Sequence, residues 1–213
     1  MELIQQFIDI FLHIDQHLAA IIGEYGTLTY AILFLVIFIE TGFVVMPFLP
    51  GDSLIFAAGA FVAMDALDIY ALTGLLIVAA ILGDTVNYWI GRKLGKHAYS
   101  ASWVNRKHLD KAQAFYDKYG GKTIVFARFV PIVRTFAPFV AGIGRMSYAQ
   151  FISFNIIGGV AWVLICVFAG YFFGNIPVVK KNFELVILAI ILISFLPVFI
   201  EVWKSRSQTN KQV

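Results

Sequence analysis

Apolar positions in residues 2–22 alternate with a polar stripe of Asp9, His13, Gln16 and His17, the spacing of an amphipathic helix. Such a helix is expected to lie along a surface or pack on a bundle rather than span alone, and Gly23 and Gly26 are expected to close it. Residues 27–49 are apolar enough to span, yet they contain Glu40 and run into Pro47 and Pro50. The stretch 48–53 (FLPGDS) then breaks the helix around Gly51. The apolar run from Leu54 to Met64 has 11 residues, too few to cross about 30 Å of hydrocarbon as a helix. The two arms therefore read as a re-entrant hairpin that enters and returns on one side. Irregular backbone at that depth persists only where protein buries it or it lines a wet cavity.

Beyond a short polar turn at 65–68, residues 69–91 predict a spanning helix, with Asp84 and Asn87 in its last third. Residues 92–122 form the main polar loop, with a helical stretch at 104–119 and a stop at Gly120-Gly121. Residues 123–143 (TIVFARFVPIVRTFAPFVAGI) are apolar but carry Arg128, Pro131, Arg134 and Pro138, a load that a continuous lipid-facing helix cannot bear. They predict a second hairpin, broken at the two prolines. Residues 148–174 and 183–203 predict further spans.

The two broken segments resemble each other. The first reads F-I-E…P-G-D…F-A-A-G (38–59) and the second F-A-R…P-I-V-R…F-V-A-G (126–142). Each leads to a span with central glycine, Gly83 or Gly158-Gly159, and then to YWIG (88–91) or YFFG (171–174). The expected architecture is an all-α polytopic membrane protein, an inverted repeat with two opposed re-entrant helical hairpins plus spanning helices. It comprises one membrane domain over 1–204. An amphipathic segment (1–24), a first repeat (27–91), a basic loop (92–122), a second repeat (123–174) and a last span (183–203) precede a tail (205–213).

Charge orients this scheme. The first 91 residues hold nine acids and no base, and all 16 Lys+Arg follow. Eight of these lie in 92–122, which places that loop and the C-terminus on the cytoplasmic side of the membrane. The chain is 60% hydrophobic with a mean hydropathy of +0.83, so the bases are expected to meet anionic lipid and not nucleic acid. The N-terminus lacks a basic region and a cleavage site, which argues against a removed signal peptide. Cys166 is the single cysteine, so no disulfide is expected. Neither a metal nor a cofactor is expected: His13 and His17 have helical metal-pair spacing but no third ligand, and read as part of the polar stripe. There is no P-loop, HExxH or GxSxG, so no enzymatic chemistry is expected.

The candidate chemistry lies in charges within apolar sequence. Arg128 and Arg134 are candidate phosphate ligands, because a guanidinium stays charged and binds phosphate through two parallel hydrogen bonds. Pro131 between them frees backbone N–H groups that also favour anions. Glu40, Asp52 and Asp84 are candidates for proton coupling, because desolvation disfavours a carboxylate. The plainer readings are that Glu40 and Asp52 neutralise Arg128 and Arg134, that Asp52 caps the returning half-helix, and that Asp84 lies near the interface. Arg145 reads as an interfacial anchor, and Gly142, Gly158, Gly159 and Gly170 read as points of close helix packing.

The segments FIETGFVVMPFLPGDSL (38–54), GDTVNYWIGR (83–92) and ARFVPIVRTFAPFVAG (127–142) resemble the bacterial DedA family, the prokaryotic branch of the SNARE-associated or VTT-domain superfamily. The resemblance covers about residues 1–204. It implies a plasma-membrane protein with two opposed hairpins and two essential acids and arginines, matched here by Glu40, Asp52, Arg128 and Arg134. It also implies a role in envelope homeostasis and the proton motive force; some members are implicated in recycling undecaprenyl phosphate, and eukaryotic relatives resemble phospholipid scramblases. The expected partners are membrane lipids, above all a phosphate-headed one, and protons, with a homo-oligomer compatible with the sequence. Three functions follow: a lipid carrier, a proton-coupled antiporter of a small ion or cationic drug, and a non-transporting scaffold.

Overall fold

The structure, a computed structural model, describes residues 14–43, 51–98 and 119–177. Within them lie the helices α1 (Ile14–Tyr25), α2 (Leu28–Gly42), α3 (Gly51–Val62), α4 (Ile69–Ala98), α5 (Lys122–Ala127), α6 (Pro131–Ile143) and α7 (Tyr148–Gly174), and no strand among the described residues. The described part of the N-terminal helix runs through Gly23 and stops at Gly26. There a φ of +52° suits glycine, and the Gly26 N–H closes the last turn on the Ile22 carbonyl at 3.0 Å. The loop helix expected at 104–119, the span at 183–203, His13, Pro47 and Pro50 lie outside the described residues, wholly or in large part.

Local chemistry sets the helix ends. Asp68 starts α4: its Oδ1 accepts from the Ala71 N–H at 2.7 Å, and its own N–H donates to Tyr30 Oη at 2.7 Å. The 65–68 turn is thus a cap that ties α4 to α2. At the other end α4 does not stop at Gly91; it continues through Arg92 and Lys93 to Ala98. Ser147 caps α7 through Gln150 at 3.3 Å. Among the described residues, α4 and α7 contain the two segments long and apolar enough to cross a bilayer, Ile69–Leu94 and Tyr148–Gly174.

The second broken segment parts at residues 128–130, where Val130 is extended. Pro131 then occupies the start of α6, where its missing N–H costs nothing. The expectation for Pro138 fails. It lies inside α6, which continues to Ile143, so Pro131 is associated with the break and Pro138 is not. Only one helical hydrogen bond is lost at Pro138, the one it would have donated to the Arg134 carbonyl.

The helices cross in a reciprocal manner. α3, from the first half of the chain, packs on α7 of the second; α6, from the second half, packs on α4 of the first. Both crossings use a glycine from each partner. A Cβ on Gly59 would overlap the Val167 carbonyl oxygen, and one on Gly170 the Phe56 carbonyl oxygen. A Cβ on Gly142 would overlap the Tyr88 carbonyl oxygen, and one on Gly91 the Phe139 carbonyl oxygen. Backbone approaches backbone, a contact that a side chain cannot evade by changing rotamer. Gly170→Ala is expected to cost about 1–3 kcal/mol, seen as a lower melting temperature in detergent. An unchanged melting temperature would mean that α3 and α7 are not in this contact.

Candidate functional site

The crossing of α2, α3 and α6 is held by one guanidinium. Arg134 stands in the first turn of α6, where its N–H reaches the Val130 carbonyl at 2.9 Å. Its Nη2 donates to Glu40 Oε1 at 2.6 Å and its Nη1 to Asp52 Oδ1 at 2.6 Å. Glu40 lies in the last turn of α2, where the helix dipole opposes negative charge, so it depends on this arginine. Asp52 lies in the first turn of α3, where the dipole favours it. It is not the helix cap: it is the second residue of α3, and its Oδ1 accepts from Arg134 and from Trp162 Nε1, the latter at 2.8 Å. Gly51 leaves room for the Glu40 carboxylate: a Cβ there would overlap Oε2, so the carboxylate would have to shift.

Arg128, at the end of α5, forms a second cluster. Its Nη2 is ion-paired with Asp84 on α4 and donates to Asn155 Oδ1 on α7 at 2.5 Å. Asn155 is oriented by donating through Nδ2 to the Ile81 carbonyl at 3.1 Å. Gly158 and Gly159 leave room for the arginine; a Cβ on Gly158 would stand 3.1 Å from Arg128 Cδ. The expected pairing of Glu40 and Asp52 with both arginines is therefore corrected. Arg134 takes both of those acids and Arg128 takes Asp84, because α6 meets the end of α2 while α5 packs on α7, which packs on α4 where Asp84 stands. Asp84 is 1% exposed, a buried ion-pair partner of Arg128.

Trp162 joins the clusters. Its ring lies 4.8 Å from the Arg134 guanidinium carbon and 5.9 Å from that of Arg128. Asn87, one turn beyond Asp84, donates to the carbonyls of Thr41 at 3.1 Å and Thr135 at 2.8 Å, binding α2 and α6 to α4. The sequence reading did not single out Trp162 or Asn155. For Asn155 a signal existed, a strong polar group in an otherwise apolar span. Trp162 carried none, because tryptophan is ordinary in such a helix.

Burial separates the members of the site. Asp52 is 26% exposed at its side chain, against 2–6% for Arg128, Arg134, Glu40 and Asp84. The charges do not balance either: among the described residues three carboxylates face two guanidiniums. Several buried polar atoms lack a partner, namely Arg128 Nε and Nη1, Glu40 Oε2, Asp84 Oδ1 and Asn87 Oδ1. Unmet donors and acceptors are costly unless water, a proton or a ligand satisfies them. Among the described residues no group of three or more His, Cys, Asp or Glu is arranged to hold a metal ion.

Comparison with known proteins gives a consistent result. Residues 49–172 match the VTT domain. Protein DedA of Escherichia coli (strain K12) is 54% identical over 211 residues, covering 97% of this chain and 96% of that protein. An uncharacterized membrane protein of Mycobacterium tuberculosis is 40% identical over 183 residues, covering 84% of this chain and 80% of the relative. Inner membrane protein YqjA of Escherichia coli is 34% identical over 174 residues, covering 78% and 79%. No solved structure matches significantly.

Proposed function

This chain belongs to the DedA family of VTT-domain membrane proteins, and on that premise we propose that it carries a phosphate-headed lipid, undecaprenyl phosphate or a phospholipid, across the inner membrane. The observation that carries this reading is the buried Arg134 fork, one of whose two carboxylate partners, Asp52, is partly exposed. A phosphate presents the same paired oxygens as a carboxylate and competes for the same planar donors. The headgroup displaces Asp52 from Arg134 while the tail stays in lipid, and Arg128 stays paired with Asp84. The chain acts as a carrier and not as an enzyme.

The reciprocal crossings of α3 on α7 and α6 on α4 support an inverted repeat of two re-entrant hairpins, in which one half rocks against the other around a central site. The basic 92–122 loop and the C-terminus face the cytoplasm in this scheme. An Asp68→Cys variant on a Cys166→Ser background should react with an impermeant thiol reagent from outside intact cells. Reaction from the cytoplasm alone would overturn the orientation.

A second reading has its own observation. The carboxylates Glu40, Asp52 and Asp84 outnumber the arginines by one, which suits a proton-coupled antiporter of a small or drug-like cation. The deciding experiment places the purified protein in liposomes and follows a fluorescent phosphate-headed lipid, an uncharged lipid, and the collapse of an imposed pH gradient by cations. The carrier reading expects movement of the phosphate lipid alone, well above empty liposomes. A cation-driven proton flux without lipid movement would establish the antiporter; neither activity from folded, inserted protein would leave the scaffold.

A further inference from the structure

Trp162 makes three contacts within the charge site while being only 2% exposed. Its Nε1–H donates to Asp52 Oδ1, the oxygen that also accepts from Arg134. Its ring covers Arg134 at 4.8 Å and reaches Arg128 at 5.9 Å. It stands on α7, whereas Arg134, Asp52 and Arg128 come from α6, α3 and the end of α5. From this geometry we propose that Trp162 is a positioning residue for headgroup exchange: its ring fixes the Arg134 fork, and its N–H holds Asp52 when a phosphate takes the arginine. The inference rests on the carrier reading and deepens it.

The physical argument concerns the exchange itself. When a phosphate oxygen replaces Asp52 on Arg134 Nη1, the carboxylate, 26% exposed at its side chain, loses a charge-assisted hydrogen bond. A partly buried carboxylate that loses a donor is disfavoured over the fraction of its surface that water does not reach, which slows the exchange. Trp162 Nε1–H already touches the same oxygen, so Asp52 retains one donor throughout the swap. The indole has no acceptor and no charge, so it neither competes for the guanidinium nor holds the phosphate. Its π face instead keeps the guanidinium plane fixed, with the in-plane N–H groups directed at the carboxylates or at their replacement. A leucine would supply neither contact, and a phenylalanine would supply only the ring.

The two contacts separate in kinetics. Full-length protein is reconstituted in phosphatidylethanolamine–phosphatidylglycerol vesicles with fluorescent undecaprenyl phosphate, and the initial transbilayer rate is measured against its mole fraction. Trp162→Phe is expected to lower the maximal rate about tenfold while leaving the half-saturating mole fraction within about twofold of wild type. Trp162→Leu is expected to lose rate similarly and to raise the half-saturating mole fraction about three- to fivefold. An independent signature needs no change at Trp162. With Trp89, Trp103 and Trp203 replaced by phenylalanine, Trp162 emission should respond to undecaprenyl phosphate and not to undecaprenol. An unresponsive Trp162, or a Trp162→Phe variant matching wild type at every mole fraction while Arg134→Ala is inactive, overturns this inference and leaves the carrier reading intact. A wild type no faster than empty vesicles overturns both.

Discussion

Arg134→Lys should move a phosphate-headed lipid at roughly one-tenth to one-hundredth of the wild-type rate while the protein still folds. Lysine keeps the positive charge that Glu40 needs, so the buried carboxylate is not left alone. It cannot keep the fork. Arg134 reaches Glu40 and Asp52 at 2.6 Å each from two different nitrogens, and an ammonium is a point charge without that planar pair of donors. A lysine that holds Glu40 therefore lacks the fixed second donor on which a phosphate would replace Asp52. Arg134→Ala is the blunter variant. It leaves two carboxylates in the site without their guanidinium, at a cost of about 3–5 kcal/mol, so its inactivity must be read with the folded fraction alongside. The measurement is initial transbilayer rate in liposomes at matched amounts of inserted protein. A lysine variant as fast as wild type would mean that charge alone suffices and that the fork does not bind phosphate.

Asp84→Ala should be among the most destabilising single changes in the chain, by about 3–5 kcal/mol, because it leaves the Arg128 guanidinium buried with Asn155 as its remaining described partner. Arg128 is 2% exposed and already has two nitrogens without partners. The reciprocal change, Arg128→Met, strands Asp84 in the same way. Removing both charges together should be milder than either single change, because a buried ion pair adds little net stability once the desolvation of both ions is counted. Thermal denaturation in detergent of wild type, both single variants and Arg128→Met with Asp84→Ala gives the coupling directly. Additive losses would mean that these residues do not form an isolated buried pair.

The two experiments probe different tasks for two arginines that the sequence presents as equivalent. Both sit beside Pro131 in one apolar segment, and nothing in their spacing distinguishes them. In the folded chain one has a partly exposed acid partner and the other is sealed between Asp84 and Asn155. Exchange with a ligand is therefore argued at Arg134, and structural holding is argued at Arg128.

By itself the sequence determined the all-helical membrane class, the long apolar segments later found in α4 and α7, and which charges within apolar sequence would need partners. Those follow from one-dimensional rules: hydrocarbon thickness sets helix length, and an ion inside an apolar run must find a partner. The break before Pro131 was legible for the same reason, since proline at a helix start is favourable. Only the tertiary structure decided who pairs with whom. Arg128 met Asp84 and not Glu40, because pairing depends on which helices cross and how each is rotated, and neither can be read from spacing within one helix. Pro138 stayed helical because one missing hydrogen bond inside a packed helix is tolerable, where the same residue read alone signals a break. Trp162 became central by the same logic: an apolar ring with one donor is unremarkable along the chain and acquires meaning only where three other helical segments bring it two guanidiniums and a carboxylate.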